Sequence, residues 1–320
     1  MKKNYTITIA VICGGPSKEA EVSRSTSAGI VKALHENYKN VHLIELDQYI
    51  DQNLRKINPD VVFPAVHGKW GEDGHLQGYL TMAGFPYVGC GMEANVLAMN
   101  KILSKQIFKL HGLPVADYIV INPQDDIKKK SQHALDTLGK EIVVKPACEG
   151  SSIGVSFANN LKEVATAVKK ALDFGFPVLI ERRVYGAEIT AGILDQAKPT
   201  ALPVIEIKTP PGTWYDYEHR YTPGLSEHIL PAPLPPEQYR RVQEIALAAH
   251  LALGCQDLSR ADFVVPKQGE PILLEVNTLP GMTPTSLFPD ATKAIGISFP
   301  DLVSLLVERA FARSSKFSRD

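Results

Sequence analysis

Short apolar runs that alternate with helical patterns constrain this chain more than any other feature. "TITIAVICGG" (6–15), "VHLIEL" (41–46) and "DVVFPAVHG" (60–68) read as strands. A helix is expected near 21–36 and another around 75–84, with "YVGC" (87–90) after it. Parallel strands need a crossover connection, and the crossover helix covers a face of the sheet. The first block therefore predicts a parallel, Rossmann-like α/β unit.

A second block begins near Lys101, where "NVLAMNKILSKQIFKLHG" (95–112) predicts one strong helix closed by Gly112. The strands "EIVVKP" and "PVLIER" flank an amphipathic helix near 161–173. A third block runs from "GAEITAGIL" onward, with a Pro/Gly-rich stretch at 209–236 expected to be a long loop. Pro236 starts a helix ended by Gly254, and "DLVSLLVERAFAR" gives the last one. The divisions are drawn at 1–98, 99–185 and 186–320.

A formal net charge of −1 argues against general attraction to nucleic acid or anionic membrane. No apolar run approaches the roughly 18 residues of a membrane span. Two lysines precede the first apolar run, but "PSKEAEVS" follows it and supplies no small-residue cleavage site. A first strand is expected there and not a signal peptide. The four cysteines, Cys13, Cys90, Cys148 and Cys255, form no CxxC pair. A zinc site or disulfide framework is not expected, and reduced thiols in a cytoplasmic protein are.

Chemistry concentrates near the end of the chain. "SRADFVV" (259–265) and "PILLEVN" (271–277) read as two strands joined by "PKQGE". A four-residue loop at 267–270 sets Asp262 opposite Glu275 and Arg260 opposite Asn277. Alternation puts Leu274 and Val276 on one side and Glu275 and Asn277 on the other. Two carboxylates and an amide oxygen suit Mg²⁺, with an Asp–Arg pair beside a capped turn as the plain structural alternative. Arg260 could neutralise a phosphoryl group bidentately.

"VVKPACEGSSIGV" (143–155) places Lys145 at a strand end before a Gly/Ser loop. Backbone N–H groups at Gly150, Ser151 and Ser152 could cradle phosphate, although an ordinary turn would read the same way. "PVLIERRVYGAEIT" supplies Glu181, Val184 and Glu188, and "AVHGKWGEDGHLQG" places His67 at a strand end among glycines. "GGPSKEAEVS" lacks GxGxxG spacing, which argues against a nicotinamide site.

Together the segments "GGPSKEAEVS", "HGKWGEDG", "MNK", "VKPACEGSS", "YDYEHRY", "SRADF" and "LEVNTLPGMTPTSL" occur in one order along the chain. In that order the sequence resembles the D-alanine–D-alanine ligases of the ATP-grasp superfamily, essentially end to end. The resemblance implies an N-terminal α/β substrate-binding domain followed by a two-part ATP-grasp fold. It implies ATP and two Mg²⁺ (or Mn²⁺) ions, D-alanine as substrate, a homodimer, and a role in peptidoglycan precursor synthesis. Neither nucleic acid nor membrane is an expected partner.

Residue by residue, the resemblance makes Lys101 and Lys145 the nucleotide-phosphate lysines, joined by Ser151, Ser152 and Arg220. Glu181 and Val184 would face adenine and Glu188 the ribose, with Phe263 also a nucleotide-binding residue. Asp262, Glu275 and Asn277 would hold the metal. Glu21 would bind the first substrate's ammonium and hydrogen-bond with Ser151 and Tyr221, with His67 nearby. Arg260 and the Gly281 N–H would stabilise the oxyanion, while Ser286 and the Leu287 backbone would catch the second carboxylate. The 209–230 loop would close over the site. Tyr221 favours peptide over ester formation, so a D-lactate or D-serine ligase is the alternative. His219-Arg220 depart from a frequent Ala-Lys, and His219 is expected to face solvent. A nucleotide-binding regulator that lost catalysis would lack metal ligands or Arg260, and this chain has them all.

Overall fold

The strand Thr8–Cys13 is apolar along its length, and Ile9 to Ile12 are wholly buried. Such a strand needs cover on both faces, the usual condition of a central parallel strand. In the computed structural model, which describes residues 7–210, 212–222, 224–283 and 286–317, it has that cover. Strands Asn40–Glu45 and Val61–Pro64 pair with it in parallel on either side. Ile9 and Val11 pack with Ile30 and Leu34 of helix Ala20–Leu34 and with Leu306 of helix Phe299–Phe317. Ala10 and Ile12 face the other way, toward Leu54 and Leu80 of helices Ile50–Ile57 and His75–Ala83. The chain's last helix thus covers its first sheet, and Asn37 Nδ2 donates to Ser304 Oγ at 2.8 Å across that joint.

The middle of the chain forms an antiparallel sheet in the order Tyr118–Ile121, Val178–Arg182, Ile142–Pro146, Ser156–Ala158. Helices Ile127–Leu138 and Leu161–Leu172 cover it through Ala134, Leu138, Val164 and Val168. A second antiparallel sheet follows, ordered Glu227–Ile229, Ile205–Lys208, Ala187–Asp195, Leu258–Val265, Ile272–Asn277, with Pro199–Ala201 beside Ala187–Asp195. Helix Pro236–Ala252 covers it through Val242, Ile245 and Ala249.

Three expectations need correction. The single helix over 95–112 is two, Met92–Met99 and Lys101–Leu110. Asn100 sits between them with extended backbone, and its side chain accepts from the N–H groups of Ile102 and Leu103. Apolar periodicity runs through this cap, which is why the sequence pattern hid it. The 209–236 stretch is not all loop, since it contains the short helix Tyr217–Tyr221 and the strand Glu227–Ile229.

The third correction concerns the hairpin. Asp262 does lie opposite Glu275, and Arg260 opposite Asn277. Toward the turn, however, Phe263 pairs with Leu273, so the register slips by one at a bulge. Leu274 is the extra residue. Leu273 and Val276 are the buried pair, not Leu274 and Val276.

Candidate active site

The three sheets meet around a cavity of about 860 Å³. Its wall brings together Lys101, Ser151, Arg220, Arg260, Glu275 and Asn277 from distant parts of the chain. His67, Gly281, Ser286, Leu287 and Glu21 join them. Lys145, Ser152, Glu181, Val184, Glu188, Asp262 and Phe263 are not on this wall.

Glu19 is the acid that Ser151 meets on this wall. It is the residue just before helix Ala20–Leu34, 6 % exposed, and Ser151 Oγ donates to its Oε1 at 2.5 Å. The expectation had placed Glu21 in this hydrogen bond. Glu21 lies in the helix's first turn with its side chain 85 % exposed and pairs with Arg24. Both acids border the cavity, but only Glu19 is buried and bonded to Ser151. Gly68 has positive φ, and a Cβ there would fall 2.5 Å from Glu19 Oε2, so the glycine makes room for this carboxylate.

His67 is buried beside it. Its Nδ1 meets Glu72 Oε1 at 3.0 Å and its Nε2 meets Thr26 Oγ1 at 3.2 Å. Burial raises the Glu72 carboxyl, against the opposing pull of His67. Ser151 and Ser152 both hold positive φ, an uncommon conformation for a side chain with a Cβ. Ser152 Oγ donates to the Tyr215 carbonyl at 3.2 Å, tying this loop to the 209–230 segment.

Lys101 begins its helix at the Asn100 cap, and its own N–H donates to the Ala147 carbonyl at 2.9 Å. Its ammonium donates to the Glu149 carbonyl at 2.6 Å and lies 3.1 Å from Glu275 Oε2. Burial works to raise the Glu275 carboxyl, but Lys101, Arg220 and Lys145 outweigh it and hold the group down at about 2. Arg260 Nε and Nη2 donate to the two oxygens of Asp262 at 2.9 and 2.8 Å, and Thr190 Oγ1 donates to Asp262 Oδ1 at 2.6 Å. Asn277 Oδ1 accepts from the Leu279 N–H at 2.8 Å.

Asp262 and Glu275 are cross-strand partners and Asn277 follows two residues on, so all three share one sheet face. Their oxygens suit a hard cation such as Mg²⁺. Arg260 and Lys101 now neutralise the two carboxylates, the electrostatic service a cation would also perform. The residues therefore fit a divalent metal. Among the described residues no group of three His, Cys, Asp or Glu side chains forms a metal cluster, so the amide and a ligand's oxygens would have to complete the shell.

The residues that the resemblance assigns to the nucleoside gather elsewhere. Glu181 is fully enclosed between Lys105 and Lys145, whose charges outweigh burial and hold its carboxyl at about 2. Val184 lies half-buried in the turn after that strand. Glu188 Oε1 lies 3.4 Å from the Tyr215 N–H, a long contact, and burial raises its carboxyl. Phe263, only 1 % exposed, is a core residue packed with Ile189 and Leu273. It supports this region from beneath and offers almost no surface to a ligand.

The 209–230 segment is anchored over the cavity. Trp214 meets Phe157 edge-on, with centroids 5.3 Å apart, and Arg220 stacks over Tyr215 at 4.5 Å. His219 does not face solvent as expected. Its Nδ1 meets Asp216 Oδ1 at 2.6 Å, the same oxygen that caps helix Tyr217–Tyr221 through the His219 N–H. The side chain of Tyr221 lies outside the described residues. At the far wall Ser286 Oγ accepts from the Thr283 N–H at 3.1 Å, just before helix Leu287–Ala294. A Cβ at Gly281 would come within 3.1 Å of that oxygen.

Sequence reasoning noted Glu72 among the glycines after His67 without giving it a partner, and missed Glu19, Lys105, Thr26 and Thr190. A lysine four residues after Lys101 on the same helical face was a readable signal for Lys105. The Thr190 contact is across strands and had no local signature.

This architecture has relatives. The family model described as D-ala D-ala ligase C-terminus matches residues 107–308, and the corresponding N-terminus model matches 48–90. A D-alanine–D-alanine ligase of Pelotomaculum thermopropionicum is 41% identical over 311 residues, covering 95% of this chain and 97% of its own. One from Carboxydothermus hydrogenoformans is 44% identical over 302 residues, covering 93% and 96%. Among solved structures, a Bacillus anthracis D-alanine–D-alanine ligase complexed with ATP aligns with a TM-score of 0.84 at 32% identity. That alignment spans 98% of this chain and 100% of the other.

Proposed function

The chain belongs to the D-alanine–D-alanine ligase family, and from that membership we propose how its own residues divide the work. It is an ATP-dependent ligase that joins two D-alanines into D-alanyl-D-alanine for peptidoglycan synthesis, on an ATP-grasp fold. In the reaction the first D-alanine carboxylate attacks the γ-phosphorus of ATP and ADP leaves, giving an acylphosphate. The amine of the second D-alanine attacks that carbonyl, loses a proton, and inorganic phosphate departs. Charge stabilisation and positioning are the protein's main tasks in such chemistry.

Glu19, in place of Glu21, holds the first ammonium, supported by Ser151 and flanked by His67. Lys101, Lys145 and Arg220 take the nucleotide's phosphates, with Ser151 and Ser152 offering loop N–H groups. Glu181, Val184 and Glu188 serve the nucleoside, over Phe263. Asp262, Glu275 and Asn277 hold two Mg²⁺ (or Mn²⁺) ions, which when bound neutralise phosphate charge. Arg260 and the Gly281 N–H stabilise the oxyanion. Ser286 and the Leu287 N–H, at a helix N-terminus, receive the second carboxylate. The divisions at 98/99 and 185/186, a homodimer and a cytoplasmic location complete the reading.

The observation that carries this assignment is the wall itself, where Arg260, Glu275, Gly281 and Ser286 converge with Glu19 and Lys101. Mass spectrometry of products tests it, with ATP, Mg²⁺ and D-alanine, then with D-lactate or D-serine added. D-alanyl-D-alanine with equimolar ADP and phosphate is expected. A mixed ester or D-alanyl-D-serine as the main product would show a retuned second subsite. ATP binding without any product would overturn the catalytic roles.

A further inference from the structure

Helix Lys101–Leu110 carries a second lysine that the catalytic reading leaves unused. Lys105 lies one turn beyond Lys101 on the same face, and its side chain is fully buried. Its ammonium lies 2.6 Å from Glu181 Oε1, while Lys145 pairs with the other oxygen, Oε2. At that distance the contact is a charge-assisted hydrogen bond as well as a Coulombic one. Two cations, one fully buried and one partly exposed, thus share one buried carboxylate, one more than its neutralisation requires.

The two lysines are not equivalent. Lys145 is the next-to-last residue of strand Ile142–Pro146 and its side chain is 11% exposed, so unlike Lys105 it reaches the surface. Lys105 is held inside, on the helix packed beneath strand Ile272–Asn277 and helix Pro236–Ala252. We propose that Lys105 is the fixed counter-ion of Glu181, a positioning residue that leaves Lys145 able to exchange that carboxylate for the nucleotide's phosphates. The proposal rests on the reading of Lys145 as a phosphate ligand. With Lys105 in place, Glu181 keeps an adjacent positive charge when Lys145 turns away. Without it, nucleotide binding would strand a buried carboxylate, a costly arrangement. The surplus positive charge of the cluster also favours an arriving polyanion.

The test is calorimetric titration of the full-length protein with Mg²⁺ and a non-hydrolysable ATP analogue, alongside KM for ATP and for D-alanine. Lys105→Met is expected to weaken analogue binding about tenfold or more while KM for D-alanine stays within about twofold. Glu181→Gln removes the need for a counter-ion, so Lys105→Met/Glu181→Gln should bind within about threefold of Glu181→Gln alone. Binding by Lys105→Met within about twofold of the parent, with only a lower Tm, would overturn the proposal and leave Lys105 structural. An equal loss in both backgrounds would overturn it too, because Lys105 would then touch nucleotide directly. If Lys105→Met does not fold, the comparison made in the Glu181→Gln background decides alone. Lys145→Met separates the two readings: parental affinity there removes the premise, whereas weak binding there and none lost in Lys105→Met removes only the role of Lys105.

Discussion

At the start of helix Ala20–Leu34 two acids border the cavity, and the buried one, Glu19, is the one that Ser151 holds. Glu19→Gln is expected to lower kcat/KM for D-alanine roughly 10- to 100-fold, the worth of a charge-assisted hydrogen bond. Glu21→Gln should stay within about threefold. Equal effects from steady-state assays of the two variants would reject the assignment. The motif "GGPSKEAEVS" made an acid legible here but not which one, because the choice depends on where the helix begins. Glu181 makes a different prediction at this scale. Its carboxyl is held at about 2, below the ordinary 4.5. A depressed carboxyl contributes stability that is present above 4.5 and is lost as pH falls toward 2. Urea unfolding should show up to about 3 kcal/mol of such loss in the parent and a correspondingly flatter acid limb in Glu181→Gln.

At the scale of elements, the 209–230 segment is the part most directly exposed to test. Trp214 and Phe157 join it to the middle sheet, and Ser152 bonds it to the Gly/Ser loop. A cover that excludes water protects a reactive acylphosphate. Trp214→Ala should therefore release more phosphate than dipeptide, whereas the parent releases them in equal amounts. A ratio that stays at one would mean that closure does not depend on this contact. The hairpin shows what sequence can and cannot convey about elements. The pairing of Asp262 with Glu275 followed from counting back across a four-residue loop. The bulge at Leu274 did not, because Leu273, Leu274 and Val276 are all apolar and any two of them could have been the buried pair. Asn100 is the same case in a helix, a polar residue inside an unbroken apolar pattern.

Across the whole molecule, one charged network ties the three ends of the architecture together. Asp257 is fully buried, accepts from the Gly89 N–H at 2.9 Å, and pairs with Arg309 and Arg313 of the last helix. Arg309 reaches Asp195, which in turn lies 3.3 Å from His250 Nε2, and His250 Nδ1 meets Ser259 Oγ at 2.8 Å. That last trio looks like a catalytic triad, but Ser259 and His250 are buried and no substrate could reach them. Asp257→Asn keeps shape and removes the charge, so it should cost about 3–5 kcal/mol. Urea unfolding should fall as one transition with KM for ATP unchanged. Splitting into two transitions would show that the network joins separable units. None of these partners was legible in the sequence, since they come from four separate stretches of the chain with no shared motif.

The packing of helix Phe299–Phe317 against the opening sheet sets an order of events during synthesis. The first strand, helix Ala20–Leu34 and the last helix share one apolar core, in which Ile9 and Val11 meet Leu306 and Val307. Strand Thr8–Cys13 must therefore wait for helix Phe299–Phe317, which is synthesised long after it, before that face is dry. Until then the nascent chain carries an uncovered apolar sheet, the kind of surface that chaperones hold and that aggregates when they do not. Ribosome stalling a few residues short of that helix should leave a chain that is protease-sensitive in its first third and unable to ligate, however complete its metal and nucleotide residues are.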